Sequence, residues 1–160
     1  MRKQVDLNLD WKFALLKGFV ESGKEDAEKL QFQEVTLPHD WMIHAPFCRE
    51  MKEGASQGYR DRFGIGWYQR TLTIKEKAAG KYFLCFDGIM ENSTVWVNDI
   101  CVGGRLYGYS SFKLDVTEAL QEGENRLLVK VDNTKTPTDR WYAGAGIYRR
   151  VYLEEVPEVY

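Results

Sequence analysis

Apolar and polar residues alternate with a period of two through one short segment after another, and that period dictates strands, because successive side chains of a strand point to opposite faces. The series opens across Asp6 to Leu15, where Leu7, Leu9, Trp11 and Phe13 share one face. It continues through Gln31 to Leu37, Trp67 to Ile74, Lys81 to Phe86, Thr94 to Val97, Phe112 to Val116, Arg126 to Val131 and Ile147 to Leu153. Between these runs lie Asp87-Gly88, Asn98-Asp99, Gly103-Gly104 and Gly123-Glu124-Asn125, residues that tolerate positive φ and read as turns. Only Lys24 to Gln31 and Thr117 to Gln121 have a helical look, and both are too short to form a layer. The pattern predicts an all-β chain, a jelly-roll β-sandwich of about nine strands in two antiparallel sheets. Trp96, inside an alternating strand, is expected in the core.

A length of 160 residues suits one domain. With 44% hydrophobic residues, the chain can bury a core without a covalent staple. A formal net charge of −2 supplies no basic excess, which argues against nucleic acid or an anionic membrane as partner. No apolar run approaches the ~18 residues needed to span a bilayer. Cys48, Cys85 and Cys101 are odd in number and widely spaced, favouring free thiols and a reducing compartment. A bacterial cytoplasmic location is expected, or a secreted or periplasmic one if a signal peptide has been removed. The acidic, Pro-containing end from Glu154 to Tyr160 reads as the start of a linker, which sets the expected domain at residues 1–154 and the linker at 155–160.

Two stretches, His44 to Phe63 and Asn133 to Gly146, break the strand pattern and are longer than a hairpin needs. Their chemistry is not that of bond cleavage. Acid–base chemistry by paired carboxyl groups needs two of them held facing each other, whereas most glutamates here lie in solvated runs such as Glu25 to Glu28, Glu50 to Glu53 and Glu118 to Glu124. His39, His44 and the scattered cysteines lack zinc-ligand spacing. No catalytic residue and no metal ligand is therefore assigned. Asn92-Ser93-Thr94 has the form of a glycosylation sequon but reads better as a turn before a strand.

Recognition is the chemistry that remains. A ligand that has both an apolar face and hydrogen-bonding groups is met by an aromatic platform beside carboxylate, amide or guanidinium groups. Asp139, Arg140, Trp141 and Tyr142 supply that mixture in four consecutive positions of the second loop. The competing reading of Trp141 and Tyr142 is packing against the sandwich edge or another domain.

The order Leu9-Asp10-Trp11-Lys12-Phe13, Leu37-Pro38-His39-Asp40-Trp41, Gly66-Trp67-Tyr68-Gln69-Arg70, Asp87-Gly88, Val95-Trp96-Val97-Asn98 and Arg140 to Val151 resembles the N-terminal sugar-binding domain of glycoside hydrolase family 2. The resemblance spans nearly the whole chain. It implies a non-catalytic domain of a retaining β-galactosidase, β-glucuronidase or β-mannosidase, with Leu37 to Trp41 leaning toward the β-galactosidase branch. It also implies as partners a β-glycoside substrate, a catalytic (β/α)8 barrel of the same chain and, optionally, further copies in a homo-oligomer. The family's acid/base residue follows an asparagine, and this chain has no Asn-Glu dipeptide. By the resemblance, Asp139 takes the place of a carboxylate that reaches into the barrel's pocket near the sugar and a monovalent cation. Magnesium is the other ion expected of a full-length enzyme, and no cofactor is expected within this domain. An asparagine that β-galactosidases use from the first loop has no counterpart between Trp41 and Glu91, leaving Gln57, Tyr59, Arg60 and Asp61 as candidates for its contact. In the motif His39 hydrogen-bonds within a corner and Trp41 is buried. Three roles stay open: rim of a glycosidase pocket, freestanding carbohydrate-binding module, and purely structural domain.

Overall fold

In a computed structural model, residues 2–18, 21–51, 54–135 and 140–157 are described. They contain ten strands: β1 Lys3–Asp6, β2 Trp11–Leu16, β3 Gln33–Val35, β4 Ile65–Ile74, β5 Gly80–Phe86, β6 Ser93–Val97, β7 Ile100–Arg105, β8 Phe112–Asp115, β9 Gly123–Asp132 and β10 Val151–Pro157. One sheet has the order β1-β10-β5-β8 and the other β3-β2-β4-β9-β6-β7. Every pairing is antiparallel. The expected all-β sandwich is thus the observed fold, with one strand more than expected.

Several boundaries differ from the alternation. Asp6 to Leu15 is two strands in opposite sheets, separated where Asp6 Oδ1 accepts the Asn8 amide and Asp10 adopts φ 63°. Gly103-Gly104 is no turn but part of β7. There the pairing with β6 shifts register beside Val95, and a Cβ at Gly104 would meet the Ser93 carbonyl, so these glycines permit a bulge and a close strand approach. The hairpin turn is Asn98-Asp99, both at positive φ as a two-residue type I′ loop requires. The last strand starts at Val151 rather than Ile147, because the Ile147 carbonyl is taken by the His39 amide. It runs on through Pro157, so residues 155–157, expected to begin a linker, are paired with β5 instead. Of the two helical stretches, only Lys24–Ala27 forms a helix, α1; Thr117 to Gln121 is a turn in which the Val116 carbonyl accepts the amides of Ala119 and Leu120.

The main core lies between the sheets and includes Trp11, Phe13, Tyr68, Leu84, Val95, Val129 and Leu153. A smaller core lies on the outer face of the six-stranded sheet, where Ile65, Trp67 and Leu128 pack with Ala27, Leu30 and Phe32 from the α1 segment. Trp67 Nε1 donates to Ser22 Oγ at 3.3 Å, tying that cover down. Trp96 belongs to this outer cluster, half-buried and stacked on Trp67 at 5.8 Å, and not to the central core. Val95 and Val97, its neighbours in β6, point the other way into the sandwich.

Candidate functional site

The two long loops meet at one end of the sandwich. Their common foundation is the corner before Trp41. The amides of His39 and Trp41 donate to the carbonyls of Ile147 at 2.8 Å and Ala145 at 3.1 Å, so residues 39–41 lie alongside 145–147. Gly146 also exchanges both backbone hydrogen bonds with Met90. The approach is close: Gly146 sits at φ 121°, and a Cβ there would run into the Tyr68 hydroxyl and the His39 carbonyl. This accounts for the small residues of Ala143-Gly144-Ala145-Gly146.

His39 has the corner role read from the motif. Its Nδ1 lies 2.7 Å from the buried Tyr68 hydroxyl, and its ring packs 4.6 Å from that of Phe13. Desolvation lowers its pKa to about 4, so the imidazole is neutral at pH 7. The Tyr68 oxygen accepts the Ile147 amide at 3.4 Å, which leaves its O–H to donate to Nδ1.

Asp40 carries more of the geometry than the sequence revealed. Oδ1 accepts the amides of Met42 and Ala145, both at 3.0 Å, while Oδ2 accepts the Tyr142 hydroxyl at 2.6 Å. One carboxylate therefore starts the 3-10 turn Trp41–His44 and fixes the second loop. Burial, followed by the hydrogen bond to Asp40, pushes the Tyr142 phenol well above its ordinary pKa.

Gln57 clasps the loops from the opposite side. Its Nε2 donates to the Trp141 carbonyl at 2.7 Å, and its Oε1 accepts the Ala143 amide at 3.3 Å. The side chain is only 2% exposed, and its amide is engaged by backbone. Arg60 donates through Nη1 to the carbonyls of Ile43 and Ala45 and lies 4.2 Å over the Phe47 ring, pinning the chain beyond the 3-10 turn. Asp61 is ion-paired with Lys17 at 2.9 Å through Oδ2 and accepts the Phe63 amide through Oδ1, so both of its oxygens are engaged. Tyr59 stands at φ 55° with its ring half-exposed. Arg140 is exposed, as are Trp141 (57%) and Tyr142 (43%), so these aromatics face outward rather than into the sandwich. Asp139 lies outside the described residues.

Two further groups join the site without having been legible in sequence. Arg62, 2% exposed, donates through Nη2 to Asn133 Oδ1 at 2.6 Å and to Glu91 Oε1 at 3.3 Å, linking the roots of both loops. Its Nε is buried with no partner among the described residues. The segment Leu106 to Tyr109, between β7 and β8, places its rings next to the second loop, with Trp141 Nε1 donating to the Tyr109 hydroxyl at 2.7 Å. The only hint of it in the sequence is an aromatic on each side of Gly108. Among the described residues no group of three or more His, Cys, Asp and Glu side chains converges to hold a metal ion.

Residues 5–157 match the family description "Glycosyl hydrolases family 2, sugar binding domain". The chain belongs to glycoside hydrolase family 2. Within that family it is 39% identical over 161 residues to a β-galactosidase of Bacteroides ovatus, a match covering 99% of this chain and 19% of that protein. It is also 30% identical over 160 residues to a β-glucuronidase of Bacteroides fragilis, covering 95% of this chain and 20% of that protein. The crystal structure of a β-glycosidase from Bacteroides vulgatus superposes with a TM-score of 0.79 at 36% identity, covering 94% of this chain and 20% of that one. The family 2 sugar-binding domain thus spans about a fifth of the length of the curated relatives it matches here.

Proposed function

We propose that this domain forms the rim of the active-site pocket of a β-galactosidase, contributing to the binding of the terminal sugar and not to bond cleavage. The observation that carries the reading is the double clasp in which Gln57 ties the second loop to the first and Asp40 ties it to the corner, leaving Arg140, Trp141 and Tyr142 exposed. A rim built this way acts by positioning. Hydrogen bonds to ring hydroxyls that strengthen as the sugar distorts toward an oxocarbenium ion lower the barrier without the domain supplying an acid or a nucleophile. Asp139, two positions before Trp141, is assigned to such a hydrogen bond on its place in the motif.

The 39% identical relative is a β-galactosidase and the 30% identical one a β-glucuronidase, so a galactoside is the substrate proposed and a glucuronide its alternative. The test is kinetic. In the enzyme containing this domain, Asp139→Ala is expected to lower kcat/KM for an aryl β-galactoside by one to three decades, at ~1.4 kcal/mol per decade, with the melting temperature unchanged. A loss below twofold would reject the rim role. Faster turnover of an aryl β-glucuronide than of the galactoside would instead assign the parent activity to the glucuronidases.

A further inference from the structure

A cleft between the segment that leads into β8 and the segment that leads into β10 holds chemistry that the rim reading does not use. It is an open cavity of about 750 Å3 whose lining includes Asp87, Ser110, Ser111, Tyr148, Arg149 and Arg150. Its walls are fixed to each other and to the sandwich. The Tyr148 hydroxyl donates to the Gly108 carbonyl at 2.9 Å, and the Tyr148 ring rests against Gly88, where a Cβ would come within 3.0 Å of it. Arg105 Nε donates to Ser110 Oγ at 3.0 Å, and the Asp87 amide donates to the Arg150 carbonyl at 3.0 Å. The cleft is thus shaped before any ligand arrives.

The charge of this cleft opposes that of the chain. The formal net charge of the whole sequence is −2, yet Arg149 and Arg150 line the cavity with Asp87 as the only lining carboxylate, and a third guanidinium, that of Arg105, holds Ser110. Asp87 is already committed: its Oδ2 lies 3.2 Å from Arg150 Nε, and the Arg150 guanidinium is stacked 4.3 Å over the Tyr152 ring. Arg149 is exposed, lies 5.1 Å over the Tyr148 ring and has no carboxylate partner among the described residues. Ser110 Oγ accepts from Arg105, so its proton remains to be donated, and the exposed Ser111 hydroxyl has no partner among the described residues. Unused donors from two segments therefore line one cavity of net positive charge.

We propose that Ser110, Ser111 and Arg149 form a binding site for a tetrahedral oxyanion, a phosphate- or sulfate-type group. The fork of the Arg149 guanidinium takes two of its oxygens, and the serine hydroxyls donate to the others. Arg105 and Arg150 add positive potential around it. The donor set selects this class. A flat carboxylate is satisfied by one guanidinium and leaves the hydroxyls unused, whereas a tetrahedral group offers oxygens to both walls. A cation would be repelled by Arg149. The site does not depend on the rim reading.

The test is titration of the 160-residue chain with sodium phosphate at an ionic strength held constant with sodium chloride, followed through the Ser111 amide and the Arg149 Nε–H by 1H–15N NMR. A saturable shift with Kd on the order of 1–10 mM is expected, as suits charge-assisted hydrogen bonds in a site open to water. Arg149→Gln should weaken binding, read from the Ser111 amide, about tenfold. Asp87→Asn removes the lining carboxylate and should tighten binding about threefold, an effect that nonspecific screening does not produce. Phenyl phosphate titrated in parallel distinguishes the sources of the group. Tighter binding than inorganic phosphate supports a ligand that carries the group on a larger molecule, and weaker binding supports the free ion. Asp139→Ala should titrate as wild type, so failure of the rim role leaves this result standing. A shift that rises without saturation, or wild-type binding by Arg149→Gln, overturns the site. Equally tight binding of acetate overturns the tetrahedral class.

Discussion

The hydroxyl of Tyr142 donates to Oδ2 of Asp40 at 2.6 Å, joining residues 102 positions apart, while the other oxygen of the same carboxylate receives the amides of Met42 and Ala145. Asp40 joins the 3-10 turn, the small-residue strip and Tyr142 through one carboxylate. Asp40→Ala leaves two amides without acceptors as well as releasing Tyr142. Leaving a buried donor unsatisfied costs about 1–3 kcal/mol. An overall loss of about 2–4 kcal/mol in urea denaturation is expected. Asp40→Asn keeps one acceptor oxygen and should lose roughly half as much. Equal stability of Asp40→Ala and wild type would show the clasp to be redundant.

Stability should depend on His39 at mildly acidic pH. Its folded pKa of about 4 lies below the ordinary 6.5, so between these values the unfolded chain binds the proton and the folded one does not. Stability therefore falls as pH drops from 6.5 toward 4. The full shift corresponds to about 3 kcal/mol, reduced to on the order of 1–2 kcal/mol because the ring is partly exposed and screened. His39→Gln retains an acceptor for Tyr68 and does not titrate. Its denaturation midpoint should change less than that of wild type between pH 6.5 and 4. Parallel profiles would mean that the histidine is protonated without penalty.

The parts of this domain that follow from a local rule were legible in its sequence. Period-two alternation locates most strands because their faces are one buried and one covered or solvated, and Asn98-Asp99 announces its hairpin by residue type. Glycine is ambiguous: Gly103-Gly104 has the composition of a turn, yet the same absence of Cβ lets β7 press against Ser93 and bulge. Alternation also continues through Ile147 to Arg150 although no ladder forms there, since the partner that takes the Ile147 carbonyl is His39, 108 residues earlier. In the site, Trp141 and Tyr142 were recognisable as aromatics in a long loop. The reach of Gln57 and Asp40 to that loop, over 84 to 105 residues, has no local signature.

Gly146→Ala should be among the most damaging single-methyl additions. The residue sits at φ 121°, a conformation L side chains rarely adopt, and its new Cβ would press on the Tyr68 hydroxyl and the His39 carbonyl. Backbone strain of about 1–3 kcal/mol combines with overpacking of a similar size, for a total loss of about 3 kcal/mol or more. The site should respond with it, because Gly146 carries the bridge to Met90 and so the placement of Glu91. Thermal denaturation measures the first effect, and the chemical shift of the Glu91 amide the second. A variant with wild-type melting temperature would mean that the 39–41 and 145–147 segments can separate without cost.

Trp67 and Trp96 stack at 5.8 Å on the outer face of the larger sheet, but only Trp67 is fully enclosed. Trp67→Ala opens a cavity beneath the α1 segment and removes the indole bond to Ser22, so a loss of about 3–5 kcal/mol is expected. Trp96→Ala trims a half-buried ring whose site is open to solvent and should cost about 1–2 kcal/mol. The ranking distinguishes an outer hydrophobic cluster from the central core, where a tryptophan at either position would matter equally. Because the cluster lies on the opposite side of the six-stranded sheet from the His39 and Tyr68 packing, neither variant should alter the pH profile assigned to His39. A Trp96→Ala loss as large as that of Trp67→Ala would show that the α1 segment depends on Trp96 for its hold on the sheet.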